Sequence, residues 1–96
     1  MLIAFGEDMT QREIHDAILQ FLRRKILYDE KKVIPDEESF LGSGILDSTG
    51  ILELIGFLEE QFDLKFLDDE LVAENFDSLS RVTRFVATKL GIPEAI

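Results

Sequence analysis

Apolar residues recur at three- and four-residue steps in three separate stretches of this chain, and no stretch shows a strong alternation with polar residues over a strand's length. The stripes are Ile14, Ala17, Ile18, Phe21, Leu22 and Ile26; then Ile51, Leu54, Ile55, Leu58 and Phe62; then Leu79, Val82, Phe85, Val86 and Leu90. That period puts one apolar face on each of three helices. Each stretch also opens on a capping residue. Thr10-Gln11-Arg12-Glu13 has the capping-box pattern, in which the threonine accepts from the first turn and the glutamate reaches back. Asp47 precedes the second stripe, and Asp77 or Ser78 the third. Helices are therefore expected over about residues 11–27, 48–62 and 78–90. Arg23, Arg24 and Lys25 suit the negative end of the first helix, and Gly91 with Pro93 suits the end of the third.

The connections are uneven. Residues 28–46 contain Pro35, Gly42, Ser43 and Gly44, which interrupt regular structure, and exceed the roughly 12–15 residues usual for a connection. Val33, Ile34, Phe40, Leu41, Ile45 and Leu46 are expected to pin this segment to the core, with a short helical turn near residues 36–40. Residues 63–66 are expected to run extended with Phe66 inward. Asp68-Asp69-Glu70 then opens a short helical turn carrying Leu71 and Val72. These acids lack the alternation, central glycine and closing glutamate of a calcium loop. The expected fold is all-α, a small four-helix bundle of three main helices and one short helix with a long first loop. It forms a single domain over residues 1–96: an arm at 1–9 in which Leu2, Ile3 and Phe5 tuck inward, a bundle at 10–90 and a tail at 91–96. At 96 residues and 46% apolar content, one small core is available.

Composition narrows the chemistry. The chain has no cysteine, which removes disulfides, thiolate metal sites and cysteine nucleophiles. Its lone histidine, His15, shows no partner in the sequence and is expected on a helix flank. No apolar run approaches membrane-spanning length, and Met1 to Phe5 are too short for a secretory signal. A cytoplasmic monomer without membrane insertion is expected. The net charge of −10 opposes nucleic-acid binding and favours basic protein partners. Residues 47–70 hold eight acids (Asp47, Glu53, Glu59, Glu60, Asp63, Asp68, Asp69, Glu70) against Lys65 alone, which reads as a docking face more than as scattered solvation.

Ser48 is the first residue expected inside the second helix. A phosphate ester on its hydroxyl would meet the positive end of the helix dipole, a gain of about 0.3–1 kcal/mol at an exposed site. Hydrolase use of Ser48 lacks support. The only histidine lies in the first helix, and Leu46 stands where a nucleophile elbow needs its earlier glycine. No visible pocket gathers paired acids, and no glycine-rich phosphate loop follows a strand. Away from the apolar stripe lie Thr49, Glu53, Gly56 and Glu60, with Leu52 at the edge. Gly50 and Gly56 each lower helix propensity by about 1 kcal/mol, which reads either as slack or as close approach of a partner or prosthetic group.

Gly44-Ile45-Leu46-Asp47-Ser48, followed by Leu52-Glu53-Leu54-Ile55 and Phe57-Leu58-Glu59-Glu60-Gln61-Phe62, resembles the phosphopantetheine attachment region of acyl and peptidyl carrier proteins. Asp69-Glu70-Leu71, Glu74-Asn75-Phe76-Asp77-Ser78-Leu79 and the closing helix extend the likeness over residues 10–90. The resemblance implies that a phosphopantetheinyl transferase moves 4′-phosphopantetheine from coenzyme A to Ser48. Asp47 would cap the helix and help recognition of the site. It further implies an acyl or aminoacyl cargo carried as a thioester between ligase or synthase enzymes with basic docking surfaces, and no bond chemistry by the carrier itself. Thr49, Leu52, Glu53, Gly56 and Glu60 would form the partner face, with Leu71 and Val72 near it. The commonest fatty-acid type carries a bulky apolar residue and then an acid after the serine. Thr49-Gly50 departs from that, and looks like a discrete, specialised carrier serving a fatty acid, polyketide, nonribosomal peptide or lipid-modification pathway. A chain that begins with methionine and is domain-sized is expected to be free-standing. The alternative is an unmodified helical adaptor with the same fold that binds through its acidic face.

Overall fold

The computed structural model describes residues 9–92, which form helices joined by loops, with no strand among them. Helix α1 (Gln11–Phe21) starts on the expected capping box: the Glu13 amide donates to Thr10 Oγ1 at 3.2 Å, and the Thr10 amide donates to Glu13 Oε1 at 2.9 Å. It continues as a π-helical turn, Leu22–Ile26. The apolar step from Leu22 to Ile26 suits an α-turn equally well, so the widened turn leaves no mark in the pattern. One-turn α2 (Phe40–Ser43) lies within the long first connection. Then follow α3 (Ser48–Phe62), a 3₁₀ turn (Asp68–Glu70), one-turn α4 (Ala73–Phe76) and α5 (Leu79–Leu90). Ser78, rather than Asp77, caps α5, and Gly91 closes it in the left-handed region. The three long helices and short α4 make the four-helix bundle, with α5 packed along α1 and α4.

The stripes converge as the period requires. Ile14, Ile18 and Leu22 from α1, Leu54, Leu58 and Phe62 from α3, and Leu79, Val82 and Val86 from α5 are buried. Each such side chain contributes roughly 1.5–3 kcal/mol when fully removed from water. The first connection is fastened by Ile34, Phe40 and Leu46, while Val33 and Leu41 stay exposed, contrary to expectation. Here the backbone turns Ile34 and Phe40 inward and these neighbours outward: an extended chain alternates its sides, and one helical step rotates about 100°. The helical turn forms at 40–43 instead of 36–40 because Ser39 caps it, accepting from the Gly42 amide at 2.8 Å. The arm with Leu2, Ile3 and Phe5, and the tail with Pro93, fall outside the described residues. Met9, the arm's last residue, packs on the core.

His15 also departs from the sequence reading. Its flank position holds, but it has two carboxylate partners: Nε2 lies 2.9 Å from Asp36 Oδ1 and Nδ1 lies 3.1 Å from Asp16 Oδ1. Asp36 sits 21 residues away, so only folding brings it there. Its carbonyl in turn accepts from the Ser80 amide at 2.9 Å, tying α1, the long connection and α5 together. Burial pulls the imidazole pKa down, but hydrogen bonds to Asp36 and Asp16 outweigh it and raise the pKa above 6.5. A raised histidine pKa stabilises fully below its unfolded value and loses that contribution as pH climbs through the folded one. Urea unfolding should therefore show a midpoint that falls as pH rises from about 6 to about 8, the window of histidine titration. His15→Gln should flatten the dependence, and an unchanged slope in that variant would remove the clasp from the account.

Candidate functional site

Asp47 has extended backbone (φ −97°, ψ −176°), and its Oδ1 accepts from the Gly50 amide at 2.8 Å. Its carbonyl accepts from the Ile51 amide at 3.0 Å. The helix therefore begins at Ser48, as the sequence predicts. Ser48 is exposed and its hydroxyl makes no hydrogen bond among the described residues, so it is free at the positive helix end. The approach to it is fixed. Gly44 turns at φ 81°, and the Leu46 amide donates to the Phe40 carbonyl at 3.1 Å while the Leu46 side chain is buried.

Gly50 is neither slack nor open space. It is buried, and a Cβ there would lie 3.3 Å from a Leu46 methyl and 3.4 Å from Asp47 Oδ1. The close approach is made by the chain's own Leu46. Gly56 is exposed, and a Cβ there would meet nothing within 4 Å.

The residues expected on one partner face divide between two. Glu53, Gly56 and Glu60 line a groove with Phe21, Phe57 and Gln61, where the Phe21 and Phe57 rings stack at 4.1 Å. Thr49 is exposed on the same helical stripe. Leu71 and Val72 instead rim an apolar cavity of about 170 Å³, lined also by Leu41, Ile51, Ile55, Ala73, Phe76 and Asp77. Ile51 and Ile55 lie three and seven residues after Ser48, so this cavity lies on the serine's own stripe of α3. Leu52, 68% exposed, stands between the faces.

The acids also divide. Asp47 caps α3, Glu59 Oε2 accepts from the Phe66 amide at 3.0 Å, and Glu70 is engaged twice. Glu70 Oε1 accepts from the Leu67 amide at 2.8 Å, and Lys89 Nζ donates to Glu70 at 2.9 and 3.0 Å. The Leu67 amide and then Lys89 hold the Glu70 pKa below its ordinary value. Lys89 also lies 5.7 and 5.9 Å from the Phe66 and Phe85 ring centroids, and those rings pack with Phe76. This cluster seats the segment that carries Leu71 and Val72. Glu53, Glu60, Asp63, Asp68 and Asp69 remain exposed.

Sequence reasoning missed Asp77. Its Oδ2 accepts from Ser39 Oγ at 2.5 Å, its Oδ1 from the Leu41 amide at 3.0 Å, and its carbonyl from the Phe40 amide at 2.9 Å. Burial raises its pKa, but the Ser39 hydroxyl and Leu41 amide prevail and leave it lowered. A signal existed: Asp77 and Ser78 competed for one cap, and the unused carboxylate needed another partner.

Over 83 residues the chain is 32% identical to the acyl carrier protein of Thermosynechococcus vestitus (strain NIES-2133 / IAM M-273 / BP-1), covering 86% of this chain and 99% of that protein. No protein-family model matches the chain.

The two glycines of α3 should respond differently to alanine. Gly56→Ala should raise stability by about 0.5–1 kcal/mol, the helix-propensity gain at an open site. Gly50→Ala should show less or none of it, because Leu46 must move. Asp47→Ala should cost about 0.5–2 kcal/mol as the cap is lost. Denaturant midpoints with unchanged slopes measure all three; an equal gain at both glycines would contradict the packing at Gly50.

Proposed function

The chain belongs to the acyl carrier protein family, and on that premise we propose that it carries an acyl or aminoacyl group between partner enzymes, on 4′-phosphopantetheine esterified to Ser48. The observation that carries this reading is the free Ser48 hydroxyl at the start of a 15-residue helix, with Asp47 committed to the cap beside it. These residues fit the group. An exposed hydroxyl admits a transferase, and the helix end favours the phosphodiester charge. When bound, the group supplies a thiol on a flexible arm, which a chain without cysteine lacks, and the cargo rides there as a thioester.

The chain's own part is to present and dock. Asp47 holds the first turn rigid and offers a recognition point to the phosphopantetheinyl transferase. Thr49, Leu52, Glu53, Gly56 and Glu60 form the face for basic ligase or synthase surfaces, with Leu71 and Val72 extending it across the cavity mouth. That cavity, apolar except for the engaged Asp77, supports a cargo with an apolar segment. The specialised type is supported at position 50. The commonest fatty-acid carriers place an acid there, whereas here the position is buried against Leu46. No helix among the described residues is long and apolar enough to cross a membrane. The working form is taken as a cytoplasmic monomer that meets its enzymes by diffusion and performs no bond chemistry itself.

Incubation with coenzyme A and a broad-specificity phosphopantetheinyl transferase should raise the intact mass by one phosphopantetheine, and Ser48→Ala should abolish the gain. A folded sample left unmodified by more than one transferase would instead mark an adaptor that binds through its acidic face. Reversing Glu53 and Glu60 to lysine should raise the transferase KM at least about fivefold at low salt and weaken its salt dependence. An unaltered KM would remove those acids from the docking face.

A further inference from the structure

The end of α1 combines three features that the carrier reading does not use. First, residues 23–32 hold five of the ten basic residues of a chain with net charge −10, against Asp29 and Glu30 alone. Arg24 pairs with Glu30 at 3.3 Å, and Arg23 Nε donates to the Lys32 carbonyl at 2.9 Å, which clamps the loop. Lys25, Lys31 and Lys32 are exposed and form no ion pair among the described residues. Second, Tyr28 and Val33, 81% and 75% exposed, are the most exposed large apolar side chains described. Third, Tyr28 has φ 52°, in the left-handed region, two residues after the end of a π-helical turn. The same chain ends α2 and α5 with Gly44 and Gly91 at φ 81° and 73°, where glycine has no Cβ to strain, and α3 with Asp63 at φ 54°, a residue type that tolerates this region far better than tyrosine. At Tyr28 it accepts that strain for a side chain that contributes nothing to the core. A strained, exposed aromatic within four residues of the free Lys25, Lys31 and Lys32 points outward to a partner.

The location separates this surface from Ser48. Phe21 stacks on Phe57, and Arg24 and Lys25 share a groove with Phe57 and Gln61. Gln61 follows Ser48 by 13 residues on α3, a displacement of about 20 Å along the helix. That exceeds the Debye length of about 8 Å at physiological salt, so Ser48 lies outside the field of this end, although the groove of Glu53 and Glu60 adjoins it through Phe21, Phe57 and Gln61. We propose that the α1 end is a second docking surface, for a compact acidic patch on a partner protein. A partner seated there leaves Ser48 uncovered. An extended anionic sheet, whether membrane or nucleic acid, would also confront the acids of the rest of the chain, whereas a compact patch meets only the basic end. Tyrosine and arginine are also the residue types enriched where proteins meet.

The test uses the isotope-labelled full chain without phosphopantetheine, so its result does not depend on modification of Ser48. A glutamate-rich peptide is the acidic probe, beside phosphatidylcholine–phosphatidylglycerol vesicles and single-stranded RNA. Peptide-induced NMR shifts should gather on residues 23–33 and weaken at least about tenfold at high salt or in Lys25→Glu/Lys31→Glu/Lys32→Glu. Tyr28→Gly should fold at least as stably yet bind about threefold or more weakly. The proposal is overturned by an absence of binding, by shifts shared equally with Lys65, Arg81 and Arg84, by unchanged binding in Tyr28→Gly, or by vesicles or RNA engaging the segment where the peptide does not.

Discussion

The Asp77 carboxylate holds the long first connection against the bundle, and the presentation of Ser48 depends on that contact. Its two oxygens accept from the Ser39 hydroxyl and the Leu41 amide, while its carbonyl accepts from the Phe40 amide. Three successive residues of an otherwise irregular segment are thereby fixed to the start of α5. Phe40 is then fully buried, the Gly44 turn follows, and Leu46 enters the core one residue before the Asp47 cap. Ser39 also caps α2, and a side chain at Gly42 would stand 2.9 Å from its hydroxyl, so the latch and the turn constrain each other. Hydrogen bonds to an ionised acceptor are roughly twice as strong as neutral ones, which suits one carboxylate to ordering a loop of this length.

The acidic character of the chain serves two ends. Asp47, Glu59, Glu70 and Asp77 satisfy backbone amides or fix turns. Asp47 and Asp77 take over first-turn amides of α3 and α2 that the helix starts would otherwise leave to solvent. Glu53, Glu60, Asp63, Asp68 and Asp69 are left exposed and set the local field. Charge counting alone therefore overstates the docking face, since fold and field draw on the same residue type. The basic residues show the complementary pattern: Lys89 is consumed by Glu70 and the phenylalanine cluster, while three of the four exposed lysines without an ion pair among the described residues, Lys25, Lys31 and Lys32, follow α1 and Lys65 follows α3.

The helices were legible because their information is local. The capping box at Thr10, the cap at Asp47, the bounds of α3 and the glycine stop at Gly91 all rest on contacts within four residues, and all stand in the structure. Ser48 was legible as the first residue of α3 for the same reason. The connection was less so. Val33 and Leu41 look as apolar as Ile34 and Phe40, and only the path of the backbone decides which of two neighbours faces inward. The one-turn α2 depends on Ser39, whose role is set jointly by Gly42 nearby and Asp77 far off in sequence.

The sequence by itself determined the number and order of the main helices, their buried stripes, and the serine that opens α3. Periodicity and capping act through neighbours along the chain, so these features are written where they are used. Tertiary structure alone decided the pairing of His15 with Asp36, the latch at Asp77, the Glu70–Lys89 contact and the division of the partner residues between a groove and a cavity. Each joins residues from different elements. Hydrogen bonds and ion pairs are short-ranged, and no local pattern states which distant partner folding will bring within 3 Å.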